Sequence, residues 1–398
     1  MENMDAITEQ KVYAVFQNLH AIIESSIPRS NYLLEGKLGL VLYYFSLYEA
    51  FGEMDHANKC IELLEEVMNQ EDEEPAPLSG TGFANGTAGL GFLLFLLQKK
   101  GLIDIDLQEE LKELDESLTT QALRQIEEER NDYLHGAMGI IHYFLTRIDE
   151  EDMRKRVELL VTAFCSKAVL QKEGVWFRNF IIDAKEKERI DLSLSHGNAG
   201  FLLLLLNVLE TGILEQGIKD IIEKGIGFII SQQMEPNPAQ GQYAVFPFSV
   251  HSRNRTDQFF SQRLAWCYGD LNIVLLLYRA AAQLEQPGWK EMADHIAEQT
   301  IQRTGPGSTL AEDSHFCHGT SGLAQFYKRL FAITGDKKFS EAADHWIGQT
   351  VSNAETEWKK NKYTGKECSI LSGLPGINLV LLSCISKNEL TWSRSLLL

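Results

Sequence analysis

The chain has 398 residues, 44% hydrophobic and 23% charged, an ordinary globular composition with material for a large core. Its formal net charge is -19, and no Lys/Arg cluster interrupts that balance, which excludes a protein that tracks a nucleic-acid backbone. Met1-Glu2-Asn3-Met4-Asp5 lacks the apolar core of a secretory signal, and the apolar runs Leu90–Leu97 and Phe201–Leu206 are too short to span a bilayer.

In chain order one pattern recurs, a Gly-x-x-Gly pair opening a strongly apolar segment. Gly36/Gly39 comes first. An acidic, Pro-rich connection from Glu71 to Pro77 separates it from Gly86/Gly89, which leads Leu90–Leu97. Leu107–Glu129 carries apolar residues at helical spacing among Glu, Gln, Lys and Arg, the mark of an amphipathic helix. Asp132 and His135 then precede Gly136/Gly139, and Ser195-His196 precedes Gly197/Gly200 and the run Phe201–Leu206. Pro236 to Thr256 is the longest stretch without a helical pattern, and long loops in compact domains are often functional. Arg263 and Trp266-Cys267-Tyr268 lead into Gly269, whose partner position holds Asn272 instead of glycine. The amphipathic stretch Trp289–Thr304 follows, then Cys317-His318 ahead of Gly319/Gly322, and last Cys368 ahead of Gly373/Gly376.

The pairs recur at intervals of roughly 50 to 70 residues, room for two helices and their connections. Glycine-led helices that are apolar on most faces must be buried, and the charged amphipathic helices must cover them. The predicted fold is therefore all-α: a ring of seven helical hairpins, with seven inner and seven outer helices, forming one domain over residues 1–398. Glycine at each inner helix start is expected to let neighbouring backbones approach and to permit positive φ. Asn272 fits the series because asparagine is the next residue type to accept a left-handed conformation.

Equivalent positions of a ring gather around one axis at one end. Cys267 and Cys317 each stand two residues before their glycine, and His135, His196 and His318 one residue before. Cys267, Cys317 and His318 make a soft three-ligand set suited to zinc. Three protein ligands leave the fourth tetrahedral position open, as in catalytic sites. The chain has six cysteines and no short-range pairing pattern, so free thiols in a reducing cytosol are expected. Cys60, Cys165, Cys368 and Cys384 read as structural residues, and Trp176 and Trp266 as core or cavity lining.

Trp266-Cys267-Tyr268-Gly269, Cys317-His318-Gly319 and Ser195-His196-Gly197, with the recurrent glycine pairs, resemble the LanC family of lanthionine synthetase cyclases over essentially the whole chain. The resemblance implies an α/α toroid around one Zn2+ ion held by Cys267, Cys317 and His318. It implies an enzyme that adds peptide cysteine thiols to dehydroalanine or dehydrobutyrine, forming lanthionine and methyllanthionine thioether rings. By motif position it implies His196 as acid or base, Asp132 as its carboxylate partner, Arg263 as an arginine near the metal, and Tyr268 as the tyrosine after the first ligand. It implies as partners a dehydrated precursor peptide, a lanthipeptide dehydratase and an exporter. The expected location is cytoplasmic, peripheral at the inner membrane through those partners. One segment departs from the family pattern: where the family continues Cys-Tyr-Gly with a residue, Pro and Gly, this chain has Asp270-Leu271-Asn272.

Two rival functions remain open to the sequence. One is a LanC-like zinc protein that binds glutathione or adds it to dehydrated residues. The other is a metal-free α/α toroid acting as an interaction scaffold or as a carbohydrate enzyme, and a glycosidase would need a second carboxylate in register with Asp132. The rival roles of single residues are backbone capping for His196, a helix N-cap for Asp132, an ion pair for Arg263 and packing for Tyr268. His135 reads as structural.

Overall fold

The structure is a computed structural model that describes residues 6–70, 74–180, 188–252 and 257–398. Met1–Asp5, part of the acidic connection (71–73) and the end of the long non-helical stretch (253–256) lie outside the described residues. In chain order the helices are α1 (Ala6–Ser25), α2 (Lys37–Phe51), α3 (Met54–Met68), α4 (Thr87–Lys99), α5 (Leu107–Glu110), α6 (Lys112–Glu127), α7 (Ala137–Thr146), α8 (Glu151–Ser166), α9 (Asn198–Glu210), α10 (Glu215–Ile230), α11 (Asp270–Gln283), α12 (Pro287–Ile301), α13 (Pro306–Thr309), α14 (Thr320–Thr334), α15 (Lys337–Lys359) and α16 (Leu374–Ile385).

Each predicted glycine-led helix is present. α2, α4, α7, α9, α11, α14 and α16 begin directly after Gly36, Gly86, Gly136, Gly197, Gly269, Gly319 and Gly373. They are apolar nearly all round; in α9 every residue from Asn198 to Leu206 is buried. Such a surface needs cover, and the intervening helices supply it with one apolar stripe each. α3 buries Ala57, Cys60, Leu63, Leu64 and Val67, one face at three- and four-residue spacing. α10 does the same with Ile218, Ile222, Gly225, Ile226 and Ile229.

The chain forms two compact units, one of residues 1–80, 84–105 and 311–398 and the other of residues 81–83 and 106–310. In the first unit α4, α2, α16 and α14 touch in succession, α3 and α15 back α2 and α14, and α1 packs on α16. The last repeat is thereby joined to the first. In the second unit α7, α9 and α11 touch in succession, backed by α6, α8, α10 and α12.

Within the units, the loops ahead of the glycine-led helices are tied together in a common register. The Leu33 and Leu34 N–H groups donate to the Ala84 carbonyl at 2.9 and 3.1 Å, and Ile370 N–H donates to Leu34 O at 2.9 Å. Cys317 N–H donates to Leu371 O at 2.8 Å, and Leu194 and Ser195 N–H donate to Cys267 O at 3.0 and 3.2 Å. Each acceptor lies two residues before its repeat glycine, the position that Cys267 and Cys317 occupy. Loop backbone groups are satisfied in this way, and the main chain of both cysteines is held by it.

These contacts correct the expectation about the glycines. Of the seven first glycines only Gly269 has positive φ, at 123°; the others lie between -107° and -163°. Their purpose is close approach: a Cβ on Gly373 would stand 1.8 Å from Lys366 O and one on Gly36 2.1 Å from Ser30 O. Asn272 is not left-handed either. It lies inside α11, outside the set of positive-φ residues.

The all-helical reading needs one addition, five short strands among the described residues of the second unit. β1 (Val169–Gln171) and β2 (Gly174–Trp176) form an antiparallel hairpin. β3 (Arg189–Asp191), β4 (Ser249–His251) and β5 (Gln258–Phe259) form an antiparallel sheet, with Ile190 opposite Val250 and Val250 opposite Gln258. β4 falls in the stretch from Pro236 that lacked a helical pattern. Strands of two or three residues are too short to show an alternation. Trp176 and Trp266 are buried, as read from the sequence.

Candidate metal and acid–base site

Cys267, Cys317 and His318 each present one ligand atom, and the three atoms lie within 4.8 Å of one another. Cys317 Sγ stands 3.7 Å from His318 Nε2. With Zn–S of about 2.3 Å and Zn–N of about 2.0–2.1 Å, two tetrahedral ligands stand roughly 3.6 Å apart. The Cys317–His318 separation is that of one tetrahedral edge, and two thiols with an imidazole are donors that zinc accepts. The residues therefore fit the ion.

The turn that carries Cys317 and His318 is strapped from several sides. Thr320 N–H donates to Asp313 O at 2.8 Å and Gly319 N–H to His315 O at 3.0 Å, which closes the turn onto α14. His318 N–H donates to His315 Nδ1 at 3.3 Å, while His315 Nε2 faces Asp313 Oδ1 at 3.3 Å. Behind them Glu357, near the end of α15, accepts from Ser314 N–H at 3.1 Å, from Tyr363 OH at 2.6 Å and from Lys362 Nζ at 2.9 Å. Burial opposes ionisation of Glu357, yet these donors hold its carboxyl below the usual carboxylate range. No sequence motif announced this support, because its members are scattered over some fifty positions of the chain.

The second constellation lies within the second unit. Asp132 is buried, 2% exposed, and its Oδ2 is hydrogen-bonded to His196 Nδ1. An ionised carboxylate only accepts, so this bond puts the ring proton on Nδ1 and assigns proton exchange to Nε2. The second oxygen of Asp132 accepts from His135 N–H at 2.6 Å. Asp132 is thus not the cap of α7, whose N-cap is Gly136 without a side-chain bond. His135 contributes its backbone to Asp132. The His196 side chain is 35% exposed, enough to meet a substrate.

Asn179 ties the two halves of this pair together. Its Nδ2 donates to His196 O at 2.7 Å, and its Oδ1 accepts from Asn131 N–H at 2.9 Å. Ser193 Oγ accepts from His196 N–H at 3.2 Å. Arg263 donates through Nη1 to Leu310 O at 2.7 Å. The Tyr268 ring lies 5.7 Å from that of Phe248. The cysteines read as structural behave as such: burial pushes the Cys60 and Cys165 thiols up to about 12 and the Cys368 thiol up to about 11, so they stay protonated.

A sequence model of a family described as "Lanthionine synthetase C-like protein" matches residues 27–397. The chain is 25% identical over 286 residues to the "Nisin biosynthesis protein NisC" of Lactococcus lactis subsp. lactis, a match that covers 67% of this chain. It spans 64% of that relative's length, just under two thirds. Among solved structures, "Nisin cyclase" superposes with a TM-score of 0.75 at 19% identity, covering 99% of this chain and 98% of its own. That likeness establishes the fold as the α/α toroid expected from the sequence. No helix among the described residues is long and apolar enough to cross a membrane.

Proposed function

Since the chain belongs to the lanthionine synthetase C-like family, we propose that it is a zinc-dependent lanthipeptide cyclase working as one domain over residues 1–398. It adds peptide cysteine thiols to dehydroalanine or dehydrobutyrine and so forms (methyl)lanthionine rings. The observation that carries this reading is the convergence of Cys267, Cys317 and His318. The names of the relatives, a nisin biosynthesis protein and a nisin cyclase, support a peptide substrate. A dehydrated precursor peptide, a dehydratase and an exporter are the proposed partners, and the cytoplasmic face of the inner membrane the proposed place.

Zn2+ bound by these three residues would offer an open position where a substrate thiol, with a free pKa of about 8.5, ionises at neutral pH. Cys267 and Cys317 stand just ahead of the N-termini of α11 and α14, so two successive helix starts present the two sulfur ligands. His196 takes the substrate's thiol proton, and the same imidazole returns a proton to the α-carbon after the sulfur has joined the β-carbon. Asp132 holds that ring in one tautomer and stabilises its charged form. Arg263, fixed by its bond to Leu310 O, has further N–H donors with which to meet the developing enolate oxygen. Tyr268, beside the first ligand, forms an aromatic wall with Phe248.

The test is a peptide containing dehydroalanine and a cysteine, incubated with the protein with and without glutathione. Ring closure removes one alkylatable thiol at constant mass. The expected zinc content is about one ion per chain, lost together with activity in Cys267→Ala and Cys317→Ala. Full activity of metal-free protein would overturn the proposal, and a mass gain of one glutathione would replace cyclisation by glutathione addition.

A further inference from the structure

One repeat breaks the glycine rule, and it is the repeat that carries Cys267. In the other six the second glycine stands at 39, 89, 139, 200, 322 or 376. At four of these positions a Cβ would meet the carbonyl six residues earlier: Leu33 O at 2.6 Å from Gly39, Tyr133 O at 2.3 Å from Gly139, Leu194 O at 1.9 Å from Gly200 and Ile370 O at 1.9 Å from Gly376. The corresponding carbonyl in the fifth repeat is that of Trp266. There it accepts a hydrogen bond at 3.0 Å from Nδ2 of Asn272. A contact that would be a collision elsewhere is a bond here. The loop makes room by a different backbone course, for Gly269 has the one positive φ of the seven first glycines.

The Asn272 amide is fully buried and used from both ends. Besides Trp266 O, Nδ2 points to Ala265 O at 3.4 Å. Oδ1 reaches into the preceding repeat and accepts from Leu194 N–H at 3.2 Å, the group that also donates to Cys267 O at 3.0 Å. Leu194 lies two residues before His196. One side chain thus grips the main chain just before Cys267 and the main chain just before His196.

We propose that Asn272 is a positioning residue that locks the Cys267 loop to the His196 loop and so fixes the distance between thiolate ligand and acid–base imidazole. The role rests on the function proposed above, since it is that chemistry which needs the two groups in fixed relation. A buried amide satisfied at both ends is a rigid spacer, and supports of this kind around metal sites are typically worth ten- to a hundredfold in affinity or rate (about 10–100-fold).

Asn272→Ala keeps the Cβ that the loop already accommodates and removes only the amide; Asn272→Gly installs the residue of the other six repeats. Three measurements follow. Zinc affinity, read by competition with a chelator, is expected to fall about tenfold. The kcat of ring closure is expected to fall about tenfold with KM changed less than about twofold, because alignment and not binding is lost. Amide hydrogen exchange at Leu194 and Ser195, slow in the wild-type protein, is expected to accelerate in both variants. Unchanged zinc affinity and kcat below the unfolding temperature, with only a lowered Tm, would reduce Asn272 to packing and overturn the proposal. So would fast exchange at Leu194 and Ser195 in the wild type, a measurement that needs no folded variant. If the wild type closes no ring at all, the cyclase reading fails, while zinc affinity and exchange still decide the role of Asn272.

Discussion

A single methyl group added at Gly200 probes how the toroid's loops are seated. The new Cβ would stand 1.9 Å from Leu194 O and 2.9 Å from Leu194 C. Both are backbone atoms, which cannot rotate aside as a side chain would, so the loop must retreat by roughly 1 Å. Alanine gains about 0.5–1 kcal/mol over glycine in a helix. Against this, overpacking costs about 1–3 kcal/mol, and displacing Leu194 weakens its N–H bond to Cys267 O, worth about 1 kcal/mol. The net expectation is destabilisation by about 2 kcal/mol. Gly348 is the control: it lies exposed within α15 and a Cβ there meets nothing within 4 Å. Gly348→Ala is expected to stabilise by about 0.5–1 kcal/mol. Urea unfolding followed by far-ultraviolet circular dichroism, with the wild type alongside, reads both signs. A Gly200→Ala protein as stable as the wild type would refute the claim that close approach explains the second glycine.

Asp132→Asn preserves the shape of the partner of His196 but not its charge, and the ring is free to take the other tautomer. Ring closure is expected to slow about a hundredfold or more while zinc content stays at the wild-type value; an unchanged single-turnover rate would leave Asp132 a structural role only. His20 gives the pH dependence of stability in the first unit. Burial, with a smaller push from His56 and against the pull of Glu24, lowers its imidazole from the ordinary 6.5. Tyr43 OH accepts from Asn378 Nδ2 and lies 2.8 Å from His20 Nδ1, which ties the ring into the packed interior. The unfolded chain then binds a proton more readily than the folded one. Stability is full above about pH 6.5 and is lost as pH falls from there through the lower folded value. Urea midpoints between pH 7.5 and about 5 should show the loss, and His20→Gln should flatten that stretch; an equally steep curve in the variant would assign the dependence to other groups.

Much of the architecture was legible in consecutive residues. An apolar run behind a glycine pair is a buried helix wherever it occurs, and seven of them in regular succession leave little choice of fold. Register alone also grouped Cys267, Cys317 and His318, since equivalent positions of a cyclic repeat converge without knowledge of any contact. The short strands were not legible, because β3, β4 and β5 hold two or three residues each and the partner of β3, which is β4, lies far along the chain. Nor did the sequence assign Asp132 between helix cap and histidine partner. Both readings place a carboxylate four residues before Gly136, and only the direction of its side chain separates them.

The sequence by itself determined the repeat, the helices it generates and the residues able to ligate a metal, because hydrophobic periodicity and glycine spacing are local properties of a chain. Tertiary structure decided which groups hold those residues still. The bond from Leu194 N–H to Asn272 Oδ1 joins positions 78 apart, and that from Asn131 N–H to Asn179 Oδ1 joins positions 48 apart. A buried amide finds its partner only when packed elements exclude water and leave it no other. Such pairings have no period, and nothing in the neighbouring residues records them.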